Sequence, residues 1–196
     1  MPAMLTPDKR AHYRLADHIQ VRYKHVSQDE TKNDDAAGFF STGESTGETL
    51  SILKELYRLD LEARETVRRM LANDRDMANF LGNLNRRVTL LGQAMRASEG
   101  DAASFDAPVR LSEGGISFLA DELLDTGAHL ALKLSFRDSL LALATFAEVR
   151  HCRLADDGEC YVIGTRFVSL GPSDQELIQR YIIHRQAEER RARLRV

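Results

Sequence analysis

The most regular pattern in the chain is a spacing of apolar residues between Leu53 and Met95. Steps of alternating three and four residues fall almost entirely on apolar side chains, and no proline interrupts them. Six heptads in one register are typical of a long helix that packs its apolar seam against another helix. The positions are Leu53, Leu56, Asp60, Ala63, Val67, Met70, Asp74, Met77, Leu81, Leu84, Val88, Leu91 and Met95. The pattern predicts one helix from about Gly47 to Ser98, roughly 65 Å long over the heptads at about 1.5 Å per residue.

Residues beside this seam indicate how many helices meet. Ile52, Leu59 and Phe80 are apolar at g positions, where a two-stranded coil would place charged residues facing water. Two explanations remain open. Either the oligomer has more than two strands, with four favoured over three, or the flank packs on the rest of the domain.

Two carboxylates, Asp60 and Asp74, occupy a positions of the same register. An isolated carboxylate is costly to bury, and Arg64 and Arg75 lie close enough along the helix to pair with them. The acids could fix register and strand number. The alternative is a seam that is frayed or hydrated at those two layers.

Outside this segment the hydrophobic period is two. The alternation over His18–Val26 and Leu130–Phe136 predicts strands, and a long mixed run over Leu140–Arg153 and the run Cys160–Leu170 are also predicted as strands. A Glu113-Gly114 turn between two short apolar runs predicts a hairpin. Since a lone strand before the long helix could not stand alone, we expect it to join the later strands in one antiparallel barrel or sandwich. A final helix follows Pro172, and Ser173 with Glu176 has the spacing of a capping box.

Composition narrows the possible functions. The 196 residues carry a net charge of -3, so the chain has no overall basic character that would attract a nucleic acid polymer. It also lacks an apolar run long enough for membrane insertion and a charged-then-apolar leader, which together predict a cytoplasmic protein. There is no P-loop, GxSxG, HExxH or metal-ligand cluster, so we expect no catalytic residues, no metal and no enzyme activity.

Three motifs in order resemble one family. Lys9–Arg14 contains an RxxxR pattern before the first strand, 111–118 reads LSEGGISF, and Gly164 with Phe167 forms a Gly-x-x-Phe strand before the last helix. Together they resemble the PilZ domain, a small β-barrel family that binds the bacterial second messenger cyclic di-GMP. The inserted helix makes the chain similar to the atypical, tetrameric branch of that family.

The resemblance implies both a fold and an organisation. The fold class is α+β, an antiparallel PilZ-like β-barrel with a C-terminal helix, interrupted by a long inserted coiled-coil helix. Residues 1–44 would hold the N-terminal segment and first barrel strand, and 45–99 the oligomerisation helix. Residues 103–171 would complete the barrel, and 172–196 would form the C-terminal helix.

The resemblance also implies a nucleotide site. Arg10 and Arg14 match the arginine pair, whose planar groups suit phosphates and guanine acceptors. Ser112 and Gly115 match the hairpin, where small residues let the backbone approach the ligand. The family's Asp or Asn two residues before the Ser is Arg110 here, a donor in place of an acceptor. An unpaired guanine donor at a tight site costs about 1–3 kcal/mol, although Arg110 could instead meet a phosphate.

Three functions follow as expectations. The first is a non-catalytic PilZ-like regulatory protein with a degenerate nucleotide site, without a cofactor, linked to motility, attachment or virulence through a protein partner and assembled as a tetramer. The second is a working cyclic di-GMP receptor. The third is a structural coiled-coil adaptor whose β-domain is only a cap.

Overall fold

The computed structural model describes residues 14–32, 35–40, 45–98, 106–136 and 139–194, with side chains left out at 45, 46, 95–98, 106 and 107. Within these ranges six strands close into a barrel. They are β1 (Leu15–Val26), β2 (Asp106–Ser112), β3 (Gly115–Ala120), β4 (His129–Phe136), β5 (Ala142–Leu154) and β6 (Tyr161–Phe167).

The strand before the helical insertion completes the barrel. β1 pairs with β2 on one side and with β4 on the other, and the order around the barrel is β1-β2-β3-β6-β5-β4. Every neighbouring pair is antiparallel. The prediction that the first strand joins the later sheet is therefore confirmed, as is the hairpin around Glu113-Gly114.

The core fills the barrel and continues over part of its outer surface. Strand β4 is almost wholly buried because both of its faces are covered. On the outside, the short helix Ala37–Phe40 packs on β4 and β5, and the Phe39 ring meets the Phe146 ring edge-on at 5.7 Å between centroids. Part of the Ser- and Gly-rich segment between β1 and the helices thus covers apolar barrel surface.

The inserted segment is two helices, which corrects the prediction of one continuous rod. Helix α1 covers Ser45–Met70 and helix α2 covers Arg75–Ser98. At the break, the backbone N–H groups of Asn73 and Asp74 both donate to the Met70 carbonyl, at 2.9 and 2.8 Å. The Asp74 carboxylate then accepts the Met77 N–H at 3.0 Å and caps α2. Asp74 is therefore an N-cap and not a buried seam residue.

Helix α2 folds back along α1 as an antiparallel hairpin. The Asn85 side-chain amide donates to Asp60, and the Arg64 Nε lies 2.8 Å from the second oxygen of the same carboxylate. Gly92 lies against Leu140 of the β4–β5 turn and near Leu56 of α1. Asp60 is thus buried with two partners and sets the register between α1 and α2 within one chain.

The last helix, α3 (Pro172–Arg193), closes one side of the barrel with four buried side chains: Leu177, Ile178, Tyr181 and Ile182. The predicted capping box is wrong. Gly171 is the N-cap, no side chain caps the helix, and Pro172 occupies the first turn, where its missing N–H has no helical partner to lose. The α+β class is confirmed, and so are the helical insertion between the first barrel strand and the rest of the barrel and the C-terminal helix.

Candidate functional site

The predicted nucleotide-site residues that the structure describes lie at one end of the barrel. Arg14 is exposed and directly precedes Leu15, which pairs with Leu111 of β2. Ser112 follows Leu111 and pairs with Gly115 across the β2–β3 turn. The strand register therefore brings Arg14, Ser112 and Gly115 together. Arg10 lies outside the described residues.

The turn between β2 and β3 is held tightly. The Ser112 hydroxyl donates to the Gly115 carbonyl at 3.1 Å, and the Phe167 N–H donates to the Gly114 carbonyl at 2.9 Å. Gly115 is buried, and a Cβ there would run into the Thr165 backbone carbonyl. Two of the motif's small residues thus have a local structural role, whether or not a ligand binds above them.

Beside this turn, one row of paired residues crosses five strands. Arg110 pairs with Ala16 and with Ser117, Ser117 pairs with Gly164, and Gly164 pairs with His151. Val109 and Leu111 are buried while Arg110 is only half-buried, so Arg110 belongs to the outer face of β2. The departure from the family pattern therefore lies in the outer surface, beside the hairpin motif.

His151 was not singled out by the sequence. Its imidazole occupies the space over Gly164, and a Cβ on Gly164 would collide with the ring. The pairing of β5 with β6 shifts register between Val149 and His151, an irregularity of the kind that re-aims side chains. A glycine inside β6 thus leaves room for the close approach of a side chain from β5.

A second polar cluster joins the start of β1 to α3. The Asp17 carboxylate accepts hydrogen bonds from the Tyr181 hydroxyl at 2.6 Å and from Nε and Nη2 of Arg185 at 3.0 and 2.9 Å. Its side chain is only 6% exposed. The sequence signal was available, because Asp17 lies two residues from both Leu15 and Ile19 and therefore shares with them the face of β1 that becomes buried.

This cluster has its protonation fixed by its surroundings. Burial acts to raise the pKa of Asp17, but hydrogen bonds from Arg185, Tyr181 and the His18 N–H outweigh it, so the pKa lies below its ordinary value of 3.8. Burial, together with the hydrogen bond to Asp17, raises the pKa of Tyr181. Asp17 is therefore ionised at neutral pH and Tyr181 is its donor.

Next to the cluster, α1, α3 and the β4–β5 turn enclose a cavity of about 40 Å³. Tyr57 and Arg64 line it from α1, and His184 and Glu188 line it from α3. Burial lowers the pKa of His184. Since Arg64 and Arg185 are each bound to a buried aspartate, the cavity has no excess positive charge that would hold an anion.

The predicted oligomerisation residues divide into three groups by burial. Leu53 packs in the core of its own chain and Leu56 is packed against that core, whereas Ala63, Val67, Met70 and Leu81 are half-buried. The others in the described helices are exposed, and the side chain of Met95 lies outside the described residues. The exposed ones are Met77, Leu84, Val88 and Leu91.

Within the described ranges, no group of three or more acidic, His or Cys side chains could hold a metal ion. No helix of the described residues is both long and apolar enough to cross a membrane.

Comparison with known proteins gives a match to a family model and matches to solved structures. The family model for the PilZ domain matches residues 85–184. A pathogenic protein from Xanthomonas campestris, described as a tetrameric PilZ domain self-assembled via an unusual helical bundle, is 17% identical. The match covers 91% of this chain and 90% of that one, with a TM-score of 0.56. At this identity the likeness shows the fold alone, including the helical insertion.

A shorter match is the PilZ domain of YcgR from Escherichia coli with cyclic di-GMP. It is 18% identical and covers 49% of this chain and 82% of that one, with a TM-score of 0.38. A search of curated protein sequences found no match.

Proposed function

Because the chain belongs to the PilZ domain family, we propose that it is a non-catalytic component of cyclic di-GMP-linked signalling whose own nucleotide site is degenerate. Its output would be contact with a protein partner in motility, attachment or virulence. The observation that carries the proposal is Arg110. It stands on the outer face of β2, two residues before Ser112, where the family pattern has an acceptor for a guanine edge.

The electrostatic consequence of Arg110 is direct. Arg110 shares a barrel end with Arg14, so two positive side chains belong to this end. The nucleotide would be matched better by one arginine and one negative or neutral hydrogen-bond acceptor. Losing the acceptor leaves a guanine donor unpaired, at a cost of about 1–3 kcal/mol. That corresponds to roughly a ten- to hundredfold loss of affinity.

The same geometry supports a second candidate, a working receptor. Arg14, Ser112 and Gly115 lie together at one barrel end, and an arginine at position 110 could contact a phosphate and not a guanine. The two candidates make opposite predictions for Arg110→Asp: the degenerate site predicts a gain in affinity for cyclic di-GMP, and a receptor in which Arg110 contacts a phosphate predicts a loss.

We further propose that the chain assembles through its helical hairpin, with four copies favoured. The support is the row of large apolar side chains left exposed on α2 and α1, since a face of this kind marks an interaction surface. The Xanthomonas protein is described as assembling through a helical bundle. An oligomer would present several copies of each partner site and so raise avidity without new contacts.

Calorimetric titration with cyclic di-GMP tests the nucleotide proposal. We expect weak or undetectable binding to the natural chain and a gain of about ten- to hundredfold in Arg110→Asp. Adding Arg14→Ala to that variant should abolish the gain. The matched control is Arg153→Asp, which makes the same charge change at an exposed position next to the C-terminal end of β5. This variant should give no gain in affinity.

Two results would overturn the proposal. Micromolar binding to the natural chain that Arg14→Ala abolishes would establish the receptor. A failure of Arg110→Asp to raise affinity would show that the missing acid is not what prevents binding.

A further inference from the structure

The imidazole of His151 lies flat on the outer surface of the barrel. A Cβ on Gly164 would have the ring atoms Cε1, Nε2 and Nδ1 as its nearest neighbours, and both nitrogens would be nearly as close to it as the carbon between them. A ring that met Gly164 with its edge would hold the two nitrogens clearly farther away than that carbon. Since the Cβ of an outward-facing strand residue points away from the sheet, the flat face of the ring covers the Gly164 backbone.

The burial of Gly164 agrees with this position of the ring. Its neighbour Ile163 is fully buried in the barrel core, so Gly164 belongs to the outer face of β6. Gly164 is nevertheless buried, whereas Ser117, its partner on β3, is half-buried. His151 is half-buried too, as expected for a ring with one face on the sheet. The imidazole therefore replaces the Gly164 backbone as the outer surface of the barrel at this point.

The covered surface adjoins the proposed nucleotide site. Ser117 and Gly164 lie between Arg110 and His151 in the row of paired residues, and neither has a large side chain. Neighbouring strands are about 4.8 Å apart, so the Gly164 backbone lies roughly 10 Å from that of Arg110. A ligand with two guanines and two phosphates is too wide to rest on one strand, so a molecule bound to β2 also covers neighbouring strands.

We propose that the His151 ring occupies part of the surface that cyclic di-GMP would cover on β3 and β6, and that it is a second, steric determinant of the degenerate site. Non-bonded atoms in contact lie about 3.5–4 Å apart, so the ring keeps a ligand about that much farther from the Gly164 backbone. Hydrogen bonds weaken beyond about 3.2 Å, so a ligand lifted by the ring would lose contacts at the β2–β3 turn or displace the ring. This inference rests on the proposed degenerate site and adds a residue to Arg110.

The competing arrangement uses the outer face of the same ring as a stacking surface for a guanine. It agrees less well with the hairpin motif. Ser112 and Gly115 are small and would let a ligand approach the backbone of β2 and β3, whereas a base stacked on the imidazole stays a full ring thickness above the sheet. The two arrangements predict opposite effects of removing the ring.

Calorimetric titration of full-chain variants with cyclic di-GMP tests the proposal. His151→Ala removes the ring, and His151→Phe keeps a flat ring without nitrogens or charge. In the Arg110→Asp variant, we expect His151→Ala to raise the affinity about tenfold further and His151→Phe to leave it unchanged. Circular dichroism checks the fold of each variant, and His151→Ser takes the place of His151→Ala if that chain does not fold.

The matched control is His129→Ala. It removes a half-buried imidazole from β4, which lies on the other side of β5 from β6. This variant should give no gain in affinity, because its ring is two strands away from the surface over Gly164.

The outcomes separate this inference from the proposal about Arg110. No gain from His151→Ala, in the natural chain or in the Arg110→Asp variant, would overturn the inference, and a gain from Arg110→Asp alone would still stand. A loss of affinity in His151→Ala would establish stacking on the ring and overturn the steric role. An equal gain from His151→Phe would assign the effect to the ring nitrogens and overturn it as well. A gain from His151→Ala in the natural chain, with none from Arg110→Asp, would support the inference and overturn the proposal about Arg110.

Discussion

Replacing Asp17 by asparagine removes the negative charge that ties α3 to the first barrel strand. The carboxylate holds both nitrogens of an Arg185 fork and the Tyr181 hydroxyl, in a site where it is nearly inaccessible to water. Asparagine keeps the shape of the side chain. The substitution therefore tests the charge and its hydrogen bonds with little change in packing volume.

The expected cost follows from what is left behind. Removing one partner of a fully buried ion pair costs about 3–5 kcal/mol, because the remaining charge stays buried. Arg185 is 28% exposed and keeps Glu188 at 3.2 Å, so part of its charge remains solvated and paired. We therefore expect a loss of about 2–3 kcal/mol in the free energy of unfolding.

Urea unfolding at fixed protein concentration measures this loss, since self-association makes stability depend on concentration. The matched control is Glu176→Gln, which breaks an exposed Arg180 ion pair on the same helix and should cost less than about 0.5 kcal/mol. If Asp17→Asn cost no more than this control, the cluster would not be what holds α3 in place.

The pH dependence gives a second check. The pKa of Asp17 is lower in the folded chain than its ordinary 3.8, so the unfolded state binds the proton more readily. The stabilisation is thus fully present above about pH 5 and is lost as the pH falls through the folded pKa. The stability difference between the natural chain and Asp17→Asn should shrink below pH 4, and an unchanged difference there would contradict the assignment.

Two further substitutions test the local structure. Gly164→Ala should destabilise the barrel by about 1–3 kcal/mol, because the new methyl group meets the His151 ring. Adding His151→Ala to that variant should recover much of the loss. Equal stability of the single and the double variant would place the ring elsewhere. Asp74→Ala should cost about 1 kcal/mol through loss of the α2 N-cap, while Asp76→Ala, in the first turn, should cost only a few tenths. Thermal unfolding followed by circular dichroism measures each, and equal costs for Asp74 and Asp76 would argue against the cap.

The barrel was the part that local pattern predicted best. Alternation marks β1 because the first residues of this strand face the core on one side only. It also marks β4 in the sequence, although both faces of that strand are covered. The Glu113-Gly114 turn marks a hairpin through its chemistry. Closure of the barrel by β1 followed from a simple physical requirement, that a lone strand needs partners. The cover over β4 by Phe39 and Phe40 did not follow, because it depends on contacts between distant segments.

The helical insertion shows two sequence signals in conflict. The apolar heptads continue through Asp74 as if one helix passed it, while Asn73 and Asp74 are residues that end and start helices. The turn prevailed, because folding back lets α2 pack on α1 and on Leu140 within the chain. After the break most heptad positions of α2 are exposed, and only Leu81 among them is half-buried, so the apolar pattern continues mainly on a side of α2 that its own chain leaves uncovered.

The candidate site was predictable only where a motif exists. The motifs that contain Arg14, Ser112 and Gly115 predicted one common site. The strand register places the three residues at one end of the barrel although Arg14 is far from the other two in sequence. His151 could not be found this way, since its place over Gly164 depends on an irregularity between β5 and β6. Asp17 could have been found, had the first strand been extended back by three residues from His18.

The self-assembly of the chain through the exposed apolar side chains of α2, which include Leu84, can be measured directly by light scattering during size-exclusion chromatography. One copy weighs 22.1 kDa, and we expect the natural chain to run at a multiple of that mass, with four copies favoured. Leu84→Lys should reduce the mass to that of one copy, whereas Leu123→Lys, at an exposed leucine of the β3–β4 loop, should not. A natural chain of 22.1 kDa at high concentration, or a Leu84→Lys variant that keeps the full oligomer, would contradict the account.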